Sequence, residues 1–173
     1  MVATAKITES DNLPKKYLSD SQLQNLFNLA KTRNYRDYAL FYLSYRHGLR
    51  AIETTYLTFE NIDLTSNQIW VKRAKNSLAT YHPLTQECHR VIKKLAKNKS
   101  SNYLFPITTI AIRKICQKYN FHHHQLRHTC GINMARKGVD PLIIKNYLGH
   151  KNIQNTMIYI NDAGINFKNL PEF

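Results

Sequence analysis

The sequence predicts a mainly α fold of the α+β kind, a helical domain carrying one small antiparallel β-sheet or hairpin. Three observations point to it. Apolar residues recur at helical spacing before and after the middle of the chain, the spacing shortens to two in one stretch between, and cap residues mark the helix ends. Ser19 followed by Gln22 is a capping-box signal, and Leu23, Leu26, Phe27 and Ala30 then share a face, giving a first helix that ends near Lys31. A second helix runs from about Asn34 to Tyr45, with Tyr35, Tyr38, Ala39, Tyr42 and Leu43 at helical spacing and Gly48 as its stop. Between Ile62 and Leu84, Ile69 and Val71 alternate with Gln68 and Lys72, and Asn76-Ser77 reads as a turn before Thr80-Tyr81-His82-Pro83. Helices resume around Gln86 to Lys97, Thr108 to Lys118, Gln125 to Lys137, Pro141 to Leu148 and Ile153 to Tyr159. Asp140-Pro141 starts the fourth of these and Gly149 stops it.

A chain of 173 residues, 43% hydrophobic, is long enough for one domain with a sizeable core. Lys and Arg number 25 against 11 Asp and Glu, a formal charge of +14 spread along the chain, which implies a folded basic surface. Nucleic acid is the leading polyanion for such a surface, and binding to it weakens steeply with salt. Cys88, Cys116 and Cys130 are odd in number and never form Cys-x-x-Cys, so neither a disulfide framework nor a zinc knuckle is suggested and a reducing cytoplasm fits best. Met1 to Ser10 lacks the apolar run of a signal peptide, and no stretch approaches the roughly 20 apolar residues of a membrane helix. Residues 1–16 read as a flexible lead-in.

The most specific local pattern is His124-x-x-Arg127. On a helix these two lie side by side with His128 and Gly131, while Leu126, Cys130 and Met134 occupy the opposite face. One side is expected to pack and the other to be polar, with Gly131 leaving room for a phosphate backbone. Gly48-Leu49-Arg50, Leu148-Gly149-His150 and Tyr159 complete a set of guanidiniums, imidazoles and a phenol with no carboxylate cluster to hold a metal. That composition suits a phosphodiester attacked by tyrosine. His122-His123-His124 is not expected to bind metal, since adjacent side chains diverge and no Cys or carboxylate completes a set. Glu53 reads equally as a helix-surface acid or as a carboxylate holding Arg50 or Lys75. Tyr147, close to the apolar run Leu142-Ile143-Ile144, reads as core, and among 11 tyrosines only spacing singles out Tyr159.

On these residues the chain resembles the tyrosine recombinase (phage integrase-like) family from about Ser19 to Asn161. The first arginine box of that family resembles His47-Gly48-Leu49-Arg50-Ala51-Ile52-Glu53, and the second His124-Gln125-Leu126-Arg127-His128-Thr129, followed by Leu148-Gly149-His150 and Tyr159. The short chain, His-Gly-Leu-Arg and Ala79-Thr80-Tyr81-His82-Pro83-Leu84 are most similar to the small invertases that switch fimbrial promoters.

The resemblance implies a helical recombinase catalytic domain over residues 17–173, with no separate N-terminal clamping domain. It implies catalytic Arg50, His124, Arg127 and His150 around the nucleophile Tyr159, with Glu53 and His128 supporting. The hairpin lysine of the family falls on Lys75, with Lys72 in reserve. Lys72, Arg73, Lys75, Arg50, Arg127 and Lys151 are the expected DNA contacts.

The chemistry follows from the residue types. A tyrosine of pKa about 10 is only about a thousandth ionised at neutral pH, so the phenol needs a positive field or a base. Arg50 and Arg127 supply the field and fork the phosphate oxygens. His124 takes or relays the phenolic proton, His150 hydrogen-bonds the phosphate, and Lys75 protonates the departing 5′-oxygen. The resemblance further implies a 3′-phosphotyrosyl intermediate on double-stranded DNA without cofactor or metal, and a homo-tetramer on two sites in the bacterial cytoplasm. Ile165, Phe167 and Leu170 are expected to dock either on a neighbouring protomer or on their own domain. A type IB topoisomerase-like nicking-resealing enzyme and a non-catalytic DNA-binding regulator stand as alternatives.

Overall fold

The computed structural model describes residues 16–75 and 77–164. Most of the expected lead-in, Asn76 of the expected turn, and Ile165, Phe167 and Leu170 lie outside the described residues.

Helix α1 (Asp20–Arg33) opens on a complete capping box: Ser19 Oγ accepts from the Gln22 N–H at 3.2 Å, and Gln22 Oε1 accepts from the Ser19 N–H at 2.9 Å. It runs past Lys31 because Asn34 closes it, donating its N–H to the Ala30 carbonyl at 2.8 Å. The side chain of the same residue accepts from the N–H groups of Arg36 and Asp37 and so starts α2 (Tyr35–Arg46). Ala39, Leu40, Phe41 and Leu43 of α2 are fully buried. A short helix, α3 (Ala51–Thr55), follows and was not predicted, because five residues are too few to show a period; a 3-10 turn, Phe59–Asn61, comes next.

The expected sheet has three strands, β1 (Ile62–Asp63), β2 (Gln68–Val71) and β3 (Thr80–Pro83), antiparallel in the order β1-β2-β3. Ile69 pairs with His82 and Val71 with Thr80; Ile69 and Val71 are fully buried, as their alternation requires. The remaining helices are α4 (Gln86–Lys97), α5 (Thr109–Lys118), α6 (His123–Arg136), α7 (Pro141–Leu148) and α8 (Gln154–Ala163). Helix α6 starts earlier than its apolar pattern implies because Gln125 Oε1 accepts the His122 N–H at 2.8 Å. Helix α8 continues beyond Tyr159, which therefore sits in a helix interior.

Two apolar clusters result. The larger joins α1, α2, β2, α4 and α5 and reaches Leu126; the smaller gathers Cys130, Ile132, Ile144, Leu148 and Tyr159 where α6, α7 and α8 meet. No helix among the described residues is long and apolar enough to cross a membrane.

Three histidines are built into this interior. His47 and His82 are fully buried with ring centroids 5.4 Å apart, His82 stacks on Tyr147 at 3.8 Å, and His123 lies against the Ser44 hydroxyl at 3.0 Å. Burial first, and neighbouring positive charge second, lower His47 to about 3; burial followed by repulsion from His47 and Arg73 lowers His82 to about 2. Burial beside His124 lowers His123 to about 4. Because the folded values lie below the ordinary 6.5, the unfolded chain takes up these protons first as pH falls. Their contribution to stability is therefore complete above about pH 6.5 and declines below it, by about 1.4 kcal/mol per pH unit for each histidine. Thermal unfolding followed from pH 7.5 to 5 is expected to show a falling midpoint, with a shallower fall in His82→Gln; a midpoint flat over that range would refute the assignment.

Candidate active site

The site is built around one carboxylate. Glu53, on α3, is fully buried. Its Oε1 accepts from Arg50 Nη1 at 2.5 Å and from the Ala74 N–H at 3.1 Å; its Oε2 accepts from Arg73 Nη1 at 2.8 Å and from the Arg50 N–H at 2.9 Å. Arg127 Nη1 stands 3.7 Å from the same Oε2. Burial works to raise the carboxyl pKa, but Arg73, the Arg50 and Ala74 N–H groups and Arg127 outweigh it and hold the group below its ordinary value. Of the two expectations for Glu53, the surface acid is wrong, and the residues it holds are Arg50 and Arg73, with no bond to Lys75.

Arg73 is the main correction. It was expected to contact DNA, yet its side chain is fully buried. Nη1 donates to the Gly48 carbonyl at 3.2 Å, and Nη2 to the carbonyls of His47, at 3.0 Å, and Tyr147. The signal was present in the strand pattern. The alternation that turns Ile69 and Val71 inward carries on to Arg73, whereas a basic run read by composition alone faces outward.

Arg127 is also enclosed, at 1% exposure. Its Nη1 donates to the Gly48 carbonyl at 2.6 Å and its Nη2 to the Leu148 carbonyl at 2.8 Å, tying the loop before α3 to the end of α7. Burial, then repulsion from Arg50 and Arg73, lowers it only to about 10, so it stays charged at neutral pH. Arg50 caps α3, and its side chain keeps 22% exposure.

The polar face expected on α6 also differs. Arg127 and Gly131 on that face are buried while His124 stays exposed, and the space beside Gly131 is filled by the Tyr159 ring: a Cβ there would lie 2.6 Å from Tyr159 Cδ2. Tyr159 is 3% exposed. Its ring stacks on His150 with centroids 5.8 Å apart and meets His128 edge-on at 5.4 Å, and the charge of Arg127 acts on its phenol. His128 in turn meets His124 at 4.5 Å. His150 Nδ1 pairs with the Thr156 hydroxyl at 2.9 Å, a contact with no mark in the sequence.

The electrostatics of the cluster follow from burial and cations. Desolvation, the His128 ring and the two arginines lower His124 to about 4, and desolvation with Arg127, Arg50 and Arg73 lowers His150 to about 3; His128 is lowered by burial and Arg127. All three imidazoles are therefore neutral at pH 7 and able to accept a proton. Burial raises Tyr159, while Arg127 opposes the rise.

Lys75 is exposed at φ 56°, next to the Ala74 N–H that anchors the chain on Glu53. Lys72 is exposed with its ammonium 5.4 Å from the Tyr56 ring centroid, and Lys151 is exposed beside His150. Of the consecutive histidines, His122 and His124 are exposed while His123 is buried, so they face different surroundings.

The phage integrase family model matches residues 16–164. The type 1 fimbriae regulatory protein FimB of Escherichia coli K12 is 30% identical, over 87% of this chain and 86% of that protein. The tyrosine recombinase XerA of Pyrococcus horikoshii is 28% identical, over 86% of this chain but 57% of that protein. The Tn1549 transposon integrase, solved in complex with transposon right-end DNA, superposes with a TM-score of 0.77 at 20% identity over 92% of this chain and 65% of that one, a likeness of fold.

The seat of Tyr159 gives a direct test. Gly131→Ala places a methyl group into the phenol ring and is expected to destabilise by about 1–3 kcal/mol, the usual overpacking range. In a Tyr159→Ala background, where the ring is gone, the same change is expected to be nearly neutral. Chemical denaturation of the four proteins of this double-mutant cycle measures the coupling; additive effects would show that the two residues do not meet.

Proposed function

The chain belongs to the phage integrase family, and we propose that it cuts and rejoins double-stranded DNA through a covalent bond to Tyr159. It is a site-specific recombinase of the tyrosine type. The observation that carries the residue assignment is the buried Tyr159 ring, seated on Gly131 and packed against His150 and His128 beside the arginines of the Glu53 cluster.

In the proposed reaction Arg50 and Arg127 take the non-bridging oxygens of the scissile phosphate. Each contributes on the order of 3 kcal/mol, as single donors to a developing oxyanion do. The phenolic oxygen attacks phosphorus, and its proton passes to the neutral imidazoles beside it, His128 against the ring and His124 next in line. The bond from phosphorus to the 5′-oxygen breaks as Lys75 gives that oxygen a proton, leaving a 3′-phosphotyrosyl ester and a free 5′-hydroxyl. In the tautomer that has Thr156 Oγ1 donate to Nδ1, 2.9 Å away, His150 carries its proton on Nε2 and donates it to a phosphate oxygen. The ester conserves the bond energy, so another strand's 5′-hydroxyl reverses the step without ATP.

The assembly we infer is a homo-tetramer on two DNA sites in the cytoplasm, with Lys72 and Lys151 on the DNA backbone and the segment after α8 exchanged between protomers. DNA inversion is the outcome favoured by the likeness to the small fimbrial-switch invertases.

A duplex nicked near the cleavage position traps the covalent intermediate. In chelator, the wild-type protein is expected to form a complex that survives denaturation and Tyr159→Phe none; Arg50→Lys is expected to slow its formation by about 100-fold. Absence of a complex with the wild type on every cognate site would favour a DNA-binding regulator. A substrate with sulfur in place of the 5′-oxygen needs no proton on its leaving group and is expected to restore cleavage to Lys75→Ala. Rescue of Lys72→Ala instead would transfer the role.

A further inference from the structure

Arg73 has no part in the chemistry just described, yet it touches more of the site than any reacting group does. Its guanidinium joins the Gly48 and His47 carbonyls of the loop that carries Arg50, the Glu53 carboxylate, and the Tyr147 carbonyl at the end of the helix that delivers His150. His82 Nε2 lies 3.4 Å from Nη2. The stem is gripped as well: a Cβ on Gly149 would fall 2.9 Å from Arg73 Cγ, and Gly149 itself has φ 67°. The glycine of Leu148-Gly149-His150 is thus required by the close passage of an arginine from another part of the chain. Two residues after Arg73 comes Lys75, exposed and in a left-handed conformation, and the intervening Ala74 N–H is bonded to Glu53. The ground beneath the hairpin lysine is thus the Arg73–Ala74 pair with its hold on Glu53, to which the Ser77 N–H adds a bond on the Ala74 carbonyl at 3.2 Å.

We propose that Arg73 is a positioning residue for Lys75: its buried fork fixes the base of the hairpin against the Arg50 loop and the His150 helix end, so that the lysine reaches the leaving oxygen. This deepens the recombinase reading and rests on it. A planar fork with several donors suits the task, because it meets three carbonyls and a carboxylate at set angles, which one ammonium cannot. Arg73 does not contact DNA in this role.

The test uses Arg73→Lys in the full chain, with the nicked substrate carrying either oxygen or sulfur at the 5′ leaving position. Arg73→Lys is expected to cleave the oxygen substrate about 100-fold more slowly, as loss of a general acid does, and the sulfur substrate at nearly the wild-type rate. DNA affinity and its salt dependence are expected to stay at wild-type values, whereas a lost phosphate contact would lower the salt slope by about one. Gly149→Ala, which keeps the guanidinium but crowds its stem, is expected to show the same selective loss and stands in if Arg73→Lys does not fold. Equal defects on both substrates in a folded variant, cleavage at the wild-type rate, a lowered salt slope, or loss of folding in both variants would each overturn the proposal. If the wild-type protein forms no covalent complex, the recombinase reading fails first; if it does, and only the leaving-group selectivity is missing, this inference alone fails.

Discussion

The Glu53 carboxylate, buried among three guanidiniums, is the interaction on which the rest of the site depends. Taking each of these ions out of water costs several kcal/mol, and only close pairing offsets that. Arg50 and Arg73 are directly bonded to the carboxylate and Arg127 stands just beyond it, so one negative charge serves three positive ones. The remainder, two positive charges in a poorly solvated place, matches the two negative charges of a phosphoryl transition state. The fold meets the cost with backbone carbonyls: Gly48, His47, Tyr147 and Leu148 accept from Arg73 and Arg127. Those carbonyls belong to segments far apart in the chain, so the charge cluster and the tertiary structure form together.

Burial and the same surplus charge together set the state of the neighbouring groups. Desolvation first, then Arg127 and Arg50, holds His124 and His150 well below the ordinary histidine value, so both stay neutral at pH 7. On Tyr159 the arginine opposes burial, and burial wins, so the resting phenol keeps its proton. Removal of that proton accordingly belongs to the reaction, with the neutral histidine pair alongside to receive it.

Much of the architecture was legible because local rules and the tertiary fold agree. Ser19 and Gln22 start α1 as a capping box must, Asp140, Pro141 and Gly149 bound α7, and the period of two at Ile69 and Val71 marks the buried side of the sheet. The features that escaped are those set by distant neighbours. Arg73 stands in a basic run and looks like a surface cation until the strand period is followed one step further. Gly131 reads as open space when α6 is considered alone, and only the arrival of α8 fills it. Helix α3 is too short for periodicity, and Glu53 on it gains its meaning only when Arg73 and Arg127 converge from other elements. The boxes gave the residue types of the site; the strand and glycine positions held the information about how they are fastened.

The ring of Tyr159 fills the cleft beside Gly131 and also belongs to the smaller apolar cluster with Cys130, Ile132, Ile144 and Leu148. One side chain thus answers to two kinds of selection. Its aromatic body is kept by the demand for a filled interior, and its oxygen by the demand for a nucleophile. A survey of which substitutions this position tolerates would blend the two demands and could mistake a reacting residue for an ordinary core aromatic. Only phenylalanine separates them, keeping the body and discarding the oxygen.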